Sequence, residues 1–334
     1  MLSSTDEDRS DADSTTLTPF WRVPEFVYNA IYNLYLITVD DSPTFVVPNT
    51  VFGVSAAFTG SMLIRNDDGK NPTASPLLWK MLGHAILRTV LFNWANLLIF
   101  DLANQRQASI EDKLNKPWRP IPSDRMTAKQ MRYWLIVALP LVLSFSHFCL
   151  RVGAESSILA ILTWIYNDLG AGDDNWILRN LVIACAFKVY NMGSLKVAAS
   201  SMPVDVALGH PVRISNLGYT WVLMISGVIF TTMHVQDLKD VAGDRARGRR
   251  SAPIVFGRVI TGWSIAVPVV FWSIMCVRFW TTHIPIMLVC VVFGVIVAWR
   301  CVRRSGRVAD RLTWQLWCAW TAVLYIIPPL SVWQ

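Results

Sequence analysis

Uninterrupted apolar runs of 15 to 24 residues recur along almost the whole chain, at 44–64, 77–100, 132–150, 154–168, 175–198, 216–236, 258–278, 283–302 and 313–331. A bilayer core takes about 20 such residues per crossing helix. The runs lack the period-two alternation of a membrane strand, and only helices or closed barrels satisfy the backbone inside hydrocarbon. The expected fold class is therefore all-α, a polytopic transmembrane bundle of about nine helices. The run at 154–168 is short and ends on Asp168, so it fits least well. Charge content agrees: 16% of residues are charged, against about 25% in soluble domains. A soluble domain of 334 residues has too much surface for so few charges, whereas a lipid-facing surface needs few.

Residues 1–19 are acidic and polar with no apolar signal core, and read as a disordered tail ahead of an uncleaved first span. Residues 20–40, WRVPEFVYNAIYNLYLI in their central part, are aromatic-rich and read as an interfacial amphipathic segment. Residues 41–334 then form the membrane domain. Basic residues concentrate in the segments 101–131, 237–257 and 303–312, with six, five and four Lys or Arg respectively. With nine spans these fall on one side, which the positive-inside rule makes cytosolic, together with the N-terminus. This clustering between apolar runs explains the net charge of +7 without a nucleic-acid partner. The six cysteines show no CxxC spacing and lie in apolar segments, as packing residues do.

Two of these basic segments are also acidic. The first reads FDLANQRQASIEDKLNKPWRPIPSDR from Phe100, and the second reads QDLKDVAGDRARGRRSAPIVFG from Gln236. Each begins where an apolar run ends, and acidic side chains at such a depth suggest function. Asp237, Asp240 and Asp244 share one face if the helix continues, although Gly243 marks a possible break. Asn104 and Glu111, seven apart, share another, with Asp101 on the same side. Carboxylate and amide oxygens suit Mg2+, which completes its shell with water and phosphate oxygens. The nearby Lys and Arg can neutralise phosphate. The pair of clusters outlines a clamp for a diphosphate and Mg2+.

These residues resemble the UbiA superfamily of intramembrane prenyltransferases. Its second motif, D-x2-D-x2-G-D, is met by Asp237, Asp240, Gly243 and Asp244. Its first, N-x3-D-x3-D followed by N-[KR]-P and P-[IL]-x-[SG], is met at Asn104, Asp112, Asn115, Lys116, Pro117, Pro120 and Ile121, with Ala108 in place of the middle acid. The resemblance covers about residues 40–331 and implies nine helices around a central cavity open toward the cytosolic side. It also implies Mg2+ held by Asn104, Asp112, Asp237, Asp240 and Asp244, which are the catalytic set. Glu111 or Asp101 would replace the ligand lost at Ala108. On the Glu111 alternative, Glu111→Gln abolishes activity.

The string ANQ…EDKLNKPWRPIPS is similar to a branch that includes fungal membrane-bound terpene cyclases. In that branch a prenyl diphosphate ionises and the allylic cation closes on itself. Lys116, Arg119 and Arg247 would then stabilise the leaving charge. Tyr166, Tyr190 and Tyr219 would face the cation, with Trp94, Trp164 and Trp221 as further candidates. Arg179 and Lys188 either face the cavity or snorkel, and His234 is either a base or, more simply, a packed histidine. The alternative is a prenyltransferase with an aromatic or other small acceptor. A transporter would show inverted repeats and midplane acids, and neither is visible. The expected partners are a prenyl diphosphate and membrane lipid, and the expected location is an endomembrane such as the endoplasmic reticulum.

Overall fold

The computed structural model describes residues 22–65, 77–201 and 212–332. The acidic tail at 1–19 lies outside the described residues. The aromatic-rich segment is helix α1 (Arg22–Thr38), which leaves Phe26, Tyr28 and Ile31 exposed. A short helix α2 (Ser42–Phe45) and α3 (Val47–Ala57) follow. Then come α4 (Leu77–Gln105), α5 (Ser109–Asn115), α6 (Ala128–Ser144) and α7 (Gly153–Asn167). A turn of helix, α8 (Ala171–Asp174), precedes α9 (Trp176–Ala199) and α10 (Asn216–Thr232). The chain ends with α11 (Asp237–Arg247), α12 (Ala252–Phe279), α13 (Ile284–Arg303) and α14 (Arg307–Val332). Strands β1 (Ile64–Arg65) and β2 (Arg213–Ile214) make one two-residue antiparallel pair, Ile64 opposite Ile214.

Among the described residues, six helices are long and apolar enough to cross a membrane: Met81–Gln105, Ala128–Cys149, Trp176–Ala199, Asn216–Arg247, Ala252–Phe279 and Ile284–Arg303. The other three apolar runs are also helical but fall short. The first is divided between α2 and α3, whose first turns hold Pro43 and Pro48. The fourth, α7, has 15 residues, roughly 22 Å at 1.5 Å per residue. The last, α14, opens with charged residues and contains Pro328 and Pro329. Side chains such as Leu223, Val259, Val267 and Val289 are more than half exposed, a surface suited to hydrocarbon.

Helix α9 is the axis of the bundle and packs against α3, α4, α7 and α10. Its buried face includes Phe187, Val189 and Tyr190. By contrast α6 is almost wholly outward, with 11% of its apolar window buried. Four cysteines are buried and two exposed, and all are free, as packing residues should be.

Candidate active site

The two polar clusters meet at one end of the bundle. After α10 the chain tightens into a 3-10 turn, Met233–Gln236, and re-enters an α-helix at Asp237. Helix α11 runs through Gly243 without a break. That glycine serves close approach instead, because a Cβ there would lie 2.2 Å from Asn115 Nδ2 and 2.9 Å from Glu111 Cγ. Asn115 uses the opening: its Nδ2 donates to the Asp240 carbonyl at 3.1 Å, and its Oδ1 accepts from the Gly243 N–H at 3.3 Å. One asparagine of the first motif is thus locked onto the backbone of the second.

The first cluster is not one continuous helix. Helix α4 ends at Gln105 and α5 begins at Ser109, so the seven-residue spacing of Asn104 and Glu111 does not place them on one face. The intervening turn brings both to the same cavity wall.

Gly248 adopts a left-handed φ of 79° and ends α11, a conformation glycine takes without steric penalty. The reversal sends Arg249 back over the site. Its Nη1 reaches Asp244 Oδ1 at 2.7 Å and Glu111 Oε1 at 2.8 Å, and its Nε reaches Asp173 Oδ1 at 2.9 Å. Arg247, expected to hold diphosphate, is engaged elsewhere: it donates to Glu111 Oε2 at 3.0 Å and to Asp173 Oδ2 at 2.9 Å. It does not line the cavity, whereas Arg249 does. The residue two positions on is therefore the better diphosphate contact.

Glu111 consequently bridges two guanidiniums. Burial works to raise its pKa, but Arg249 and Arg247 outweigh that and hold it at about 2. Serving as a metal ligand would mean releasing at least one arginine. Glu111→Gln is expected to lower stability by about 2–3 kcal/mol, somewhat less than the 3–5 of an isolated buried pair, since both arginines keep Asp173. A melting temperature within a degree of the parent would contradict this bridging role.

Arg119 is the second hub. Its Nη1 donates to both oxygens of Asp112, at 3.0 and 3.2 Å, and its Nη2 to Asp41 at 2.5 Å. Asp112, expected as a metal ligand, is therefore saturated by Arg119 and lies behind the wall. Asp41 lines the cavity instead, with Lys116 3.6 Å away. Burial raises the Asp41 carboxyl, yet Lys116 and Arg119 prevail and hold it below the usual range. Burial and Arg119 oppose the charge of Lys116, yet Asp41 and Asp240 keep its pKa above the ordinary lysine value.

On the other side Arg179 donates to Asp237 Oδ1 at 3.0 Å and to the Tyr166 hydroxyl at 2.6 Å. It faces the cavity, and Lys188 does not. His234 is a packed histidine, with Nδ1 3.1 Å from Asn180 Nδ2 and Nε2 2.9 Å from Ser264 Oγ.

The cavity they surround encloses about 890 Å3, its open mouth included. Its polar lining includes Asn104, Glu111, Lys116, Arg119, Asp240 and Arg249. Its apolar lining includes Leu159, Leu162, Val182, Ile183, Ala186 and Met233. Phe45, Phe100, Tyr166 and Tyr190 line it as well, their rings 5.0 to 6.3 Å apart where they touch one another and neighbouring Phe92 and Phe187. Tyr219 is a correction: it lies off the cavity on the outer surface of α10, 45% exposed. Trp164 is likewise exposed, Trp221 packs against Phe279 and Trp280, and Trp94 donates to Thr38.

The donor set suits a hard divalent cation. Buried oxygens without a hydrogen-bond partner include Asp237 Oδ2, Asp244 Oδ2, Asn104 Oδ1 and both oxygens of Asp101. Such orphans are costly unless something completes them. Among the described residues no three acidic, His or Cys side chains already converge at ligand distance. A site of one or two carboxylates, completed by water and substrate phosphate, is the kind that Mg2+ takes. Between the two replacements for the acid missing at Ala108, Asp101 has free oxygens and Glu111 does not.

Comparison with known proteins now bears on this geometry. The profile of the UbiA prenyltransferase family matches residues 51–323. The chain is 26% identical over 319 residues to the somaliensene A/B synthase of Streptomyces somaliensis, covering 92% of this chain and 94% of that one. It is 27% identical over 197 residues to the fumagillin beta-trans-bergamotene synthase of Aspergillus fumigatus, covering 59% of this chain and 64% of that one. That alignment spans less than two thirds of the Aspergillus protein. Prenyltransferases occur among its relatives at comparable identity. The fold matches a UbiA homolog from Archaeoglobus fulgidus bound to DMAPP and Mg2+, with a TM-score of 0.55 at 13% identity over 88% of this chain and 98% of that one. The chain belongs to the UbiA prenyltransferase family.

Proposed function

We propose that this chain is a Mg2+-dependent, membrane-bound terpene cyclase. It would ionise a prenyl diphosphate of farnesyl or geranylgeranyl length and cyclise the allylic cation. The observation that carries the reading is a single cavity lined by charged groups, aromatic rings and aliphatic side chains together. A relative named as a diterpene cyclase in Hericium erinaceus, 31% identical over 159 residues, supports cyclisation. The archaeal neighbour carrying DMAPP and Mg2+ supports the substrate class and the cofactor.

Asp240 and Asn104 line the cavity and would hold Mg2+, while Asp237, Asp244 and Asp101, off its wall, would reach the ion only through its water shell. When bound, the ion would neutralise charge building on the diphosphate oxygens. Lys116, Arg119 and Arg249 line the same cavity and would stabilise the leaving group as the allylic C–O bond breaks and its electron pair departs with diphosphate. The aliphatic walls exclude water from the cation. Phe45, Phe100, Tyr166 and Tyr190 line the cavity, and each ring face presented to the cation would contribute ~1–2 kcal/mol when desolvated. Tyr190→Leu is expected to slow turnover by roughly tenfold and to add early-quenched acyclic products. An unchanged product profile would remove Tyr190 from the cation's path.

The orientation goes with this reading. The basic segments would face the cytosol, the shorter helices would complete nine crossings, and the compartment would by analogy be the endoplasmic reticulum. Prenyl transfer to a small acceptor is the second reading, favoured by the transferases among the relatives. Membranes containing the protein, incubated with Mg2+ and farnesyl or geranylgeranyl diphosphate but no acceptor, separate the two. A cyclic hydrocarbon by GC–MS, absent for Asp240→Ala, is the expected result. No product from either substrate would shift the assignment to acceptor-dependent transfer.

A further inference from the structure

A second cavity, about 350 Å3 with its open mouth included, adjoins the first. The residues Lys116, Lys239, Asp240 and Trp314 line both, so a wall one side chain thick divides them. The smaller cavity also presents Arg307 and Arg311 from the first turns of α14, with Asp40 opposite. Four cationic side chains thus face two carboxylates, and with Asp41 3.6 Å from Lys116 counted as a third one positive charge is left in excess.

These charges are only partly answered. Lys239 contacts Asp240 at 2.5 Å and sits 4.9 Å over the Trp314 ring. Arg307 gives one amino group to the carbonyls of Leu114 and Asn115. Arg311 is 48% exposed, lies over the Trp118 ring, and meets Asp40 only at 3.5 Å. In the dividing wall itself, the indole N–H of Trp314 is buried and has no acceptor. An unpaired buried donor among excess cations is completed by an anion. The space has no aliphatic wall for a prenyl tail, so the anion is small and highly charged.

We propose that this cavity is a second diphosphate subsite, which takes the leaving group after ionisation. The proposal rests on the ionisation reading above. When the C–O bond breaks, the departing diphosphate carries the bonding pair and is too strongly charged to leave past the aliphatic side chains. Lys116 and Lys239, which face both cavities, would pass it to Arg307 and Arg311 and so away from the cation it would otherwise recapture.

The test is calorimetric titration of the purified full chain in detergent with Mg2+. The main cavity is first filled with a thio-bridged prenyl diphosphate that does not ionise, and inorganic diphosphate is then added. One further equivalent of diphosphate is expected to bind. Arg311→Gln should weaken that binding about tenfold, and Arg311→Lys should restore it to within about threefold. Exclusion of diphosphate by the analogue, or parental affinity in Arg311→Gln, would overturn the subsite. Uptake of a second analogue molecule sensitive to Arg311→Gln would assign the cavity to incoming substrate and overturn its leaving-group role. If the analogue does not bind at all, it is the ionisation reading that fails. Diphosphate titration of the bare parent and Arg311 variants then decides the subsite on its own.

Discussion

Asp240→Ala is expected to reduce turnover by at least about 10²–10³-fold, the usual effect of removing one electrostatic stabiliser of a transition state, while the melting temperature barely moves. Asp240 faces the cavity and is partly exposed, and its carboxylate is paired with the adjacent Lys239 alone among the described residues. The backbone link to Asn115 uses its carbonyl, which alanine keeps. Product formation and thermal melting on the same preparation check this. Turnover within tenfold of the parent would mean that Asp240 holds neither metal nor substrate.

The neighbouring acid should behave in the opposite way. Asp237 is fully buried, and its Oδ1 is the carboxylate partner of Arg179, itself 7% exposed at the side chain. Asp237→Ala leaves that guanidinium buried with the Tyr166 hydroxyl and the Gly172 carbonyl as its remaining acceptors. Breaking a buried pair from one side costs about 3–5 kcal/mol, enough to unfold a marginal domain. Asp237→Asn, which keeps an oxygen acceptor, should recover most of the stability but not the activity. If Asp237→Ala melts with the parent, the Arg179 pair is not a structural element.

Much of the bundle was legible because hydrocarbon imposes its length directly on sequence. Six runs are long and apolar enough to read without any partner. The exceptions have local causes: prolines divide the first run, α7 is a turn too short, and Gln315, several tryptophans and two prolines lower the hydropathy of α14. The second motif was legible because Asp237, Asp240 and Asp244 do lie on one helix. Its exposed and buried members could not be told apart, since burial depends on what α5 and α9 place against each. Arg249 was overlooked in favour of Arg247 because the left-handed turn at Gly248 re-aims the chain, and spacing along a helix does not anticipate that. Gly243 itself was read as a possible break, whereas its missing side chain makes room for Asn115. Asp41 stood in sequence as half of an acidic pair before the first span, and only the approach of Arg119 gives it a place. Tyr219 failed because an aromatic residue near the right depth has no rotational address until the helix is packed.

The seating of Asn115 on the Gly243 backbone makes the two halves of the polar end a matched lock and key within one chain. Divergence in this family then cannot tinker with either motif independently. A bulkier residue at 243 would have to arrive together with a smaller one at 115. By the same reasoning, a chimera whose imported first motif placed a side chain larger than asparagine at 115 would fail on shape before any question of chemistry arose. The pair, spanning 104–121 and 237–249, is the smallest piece that an engineer could exchange.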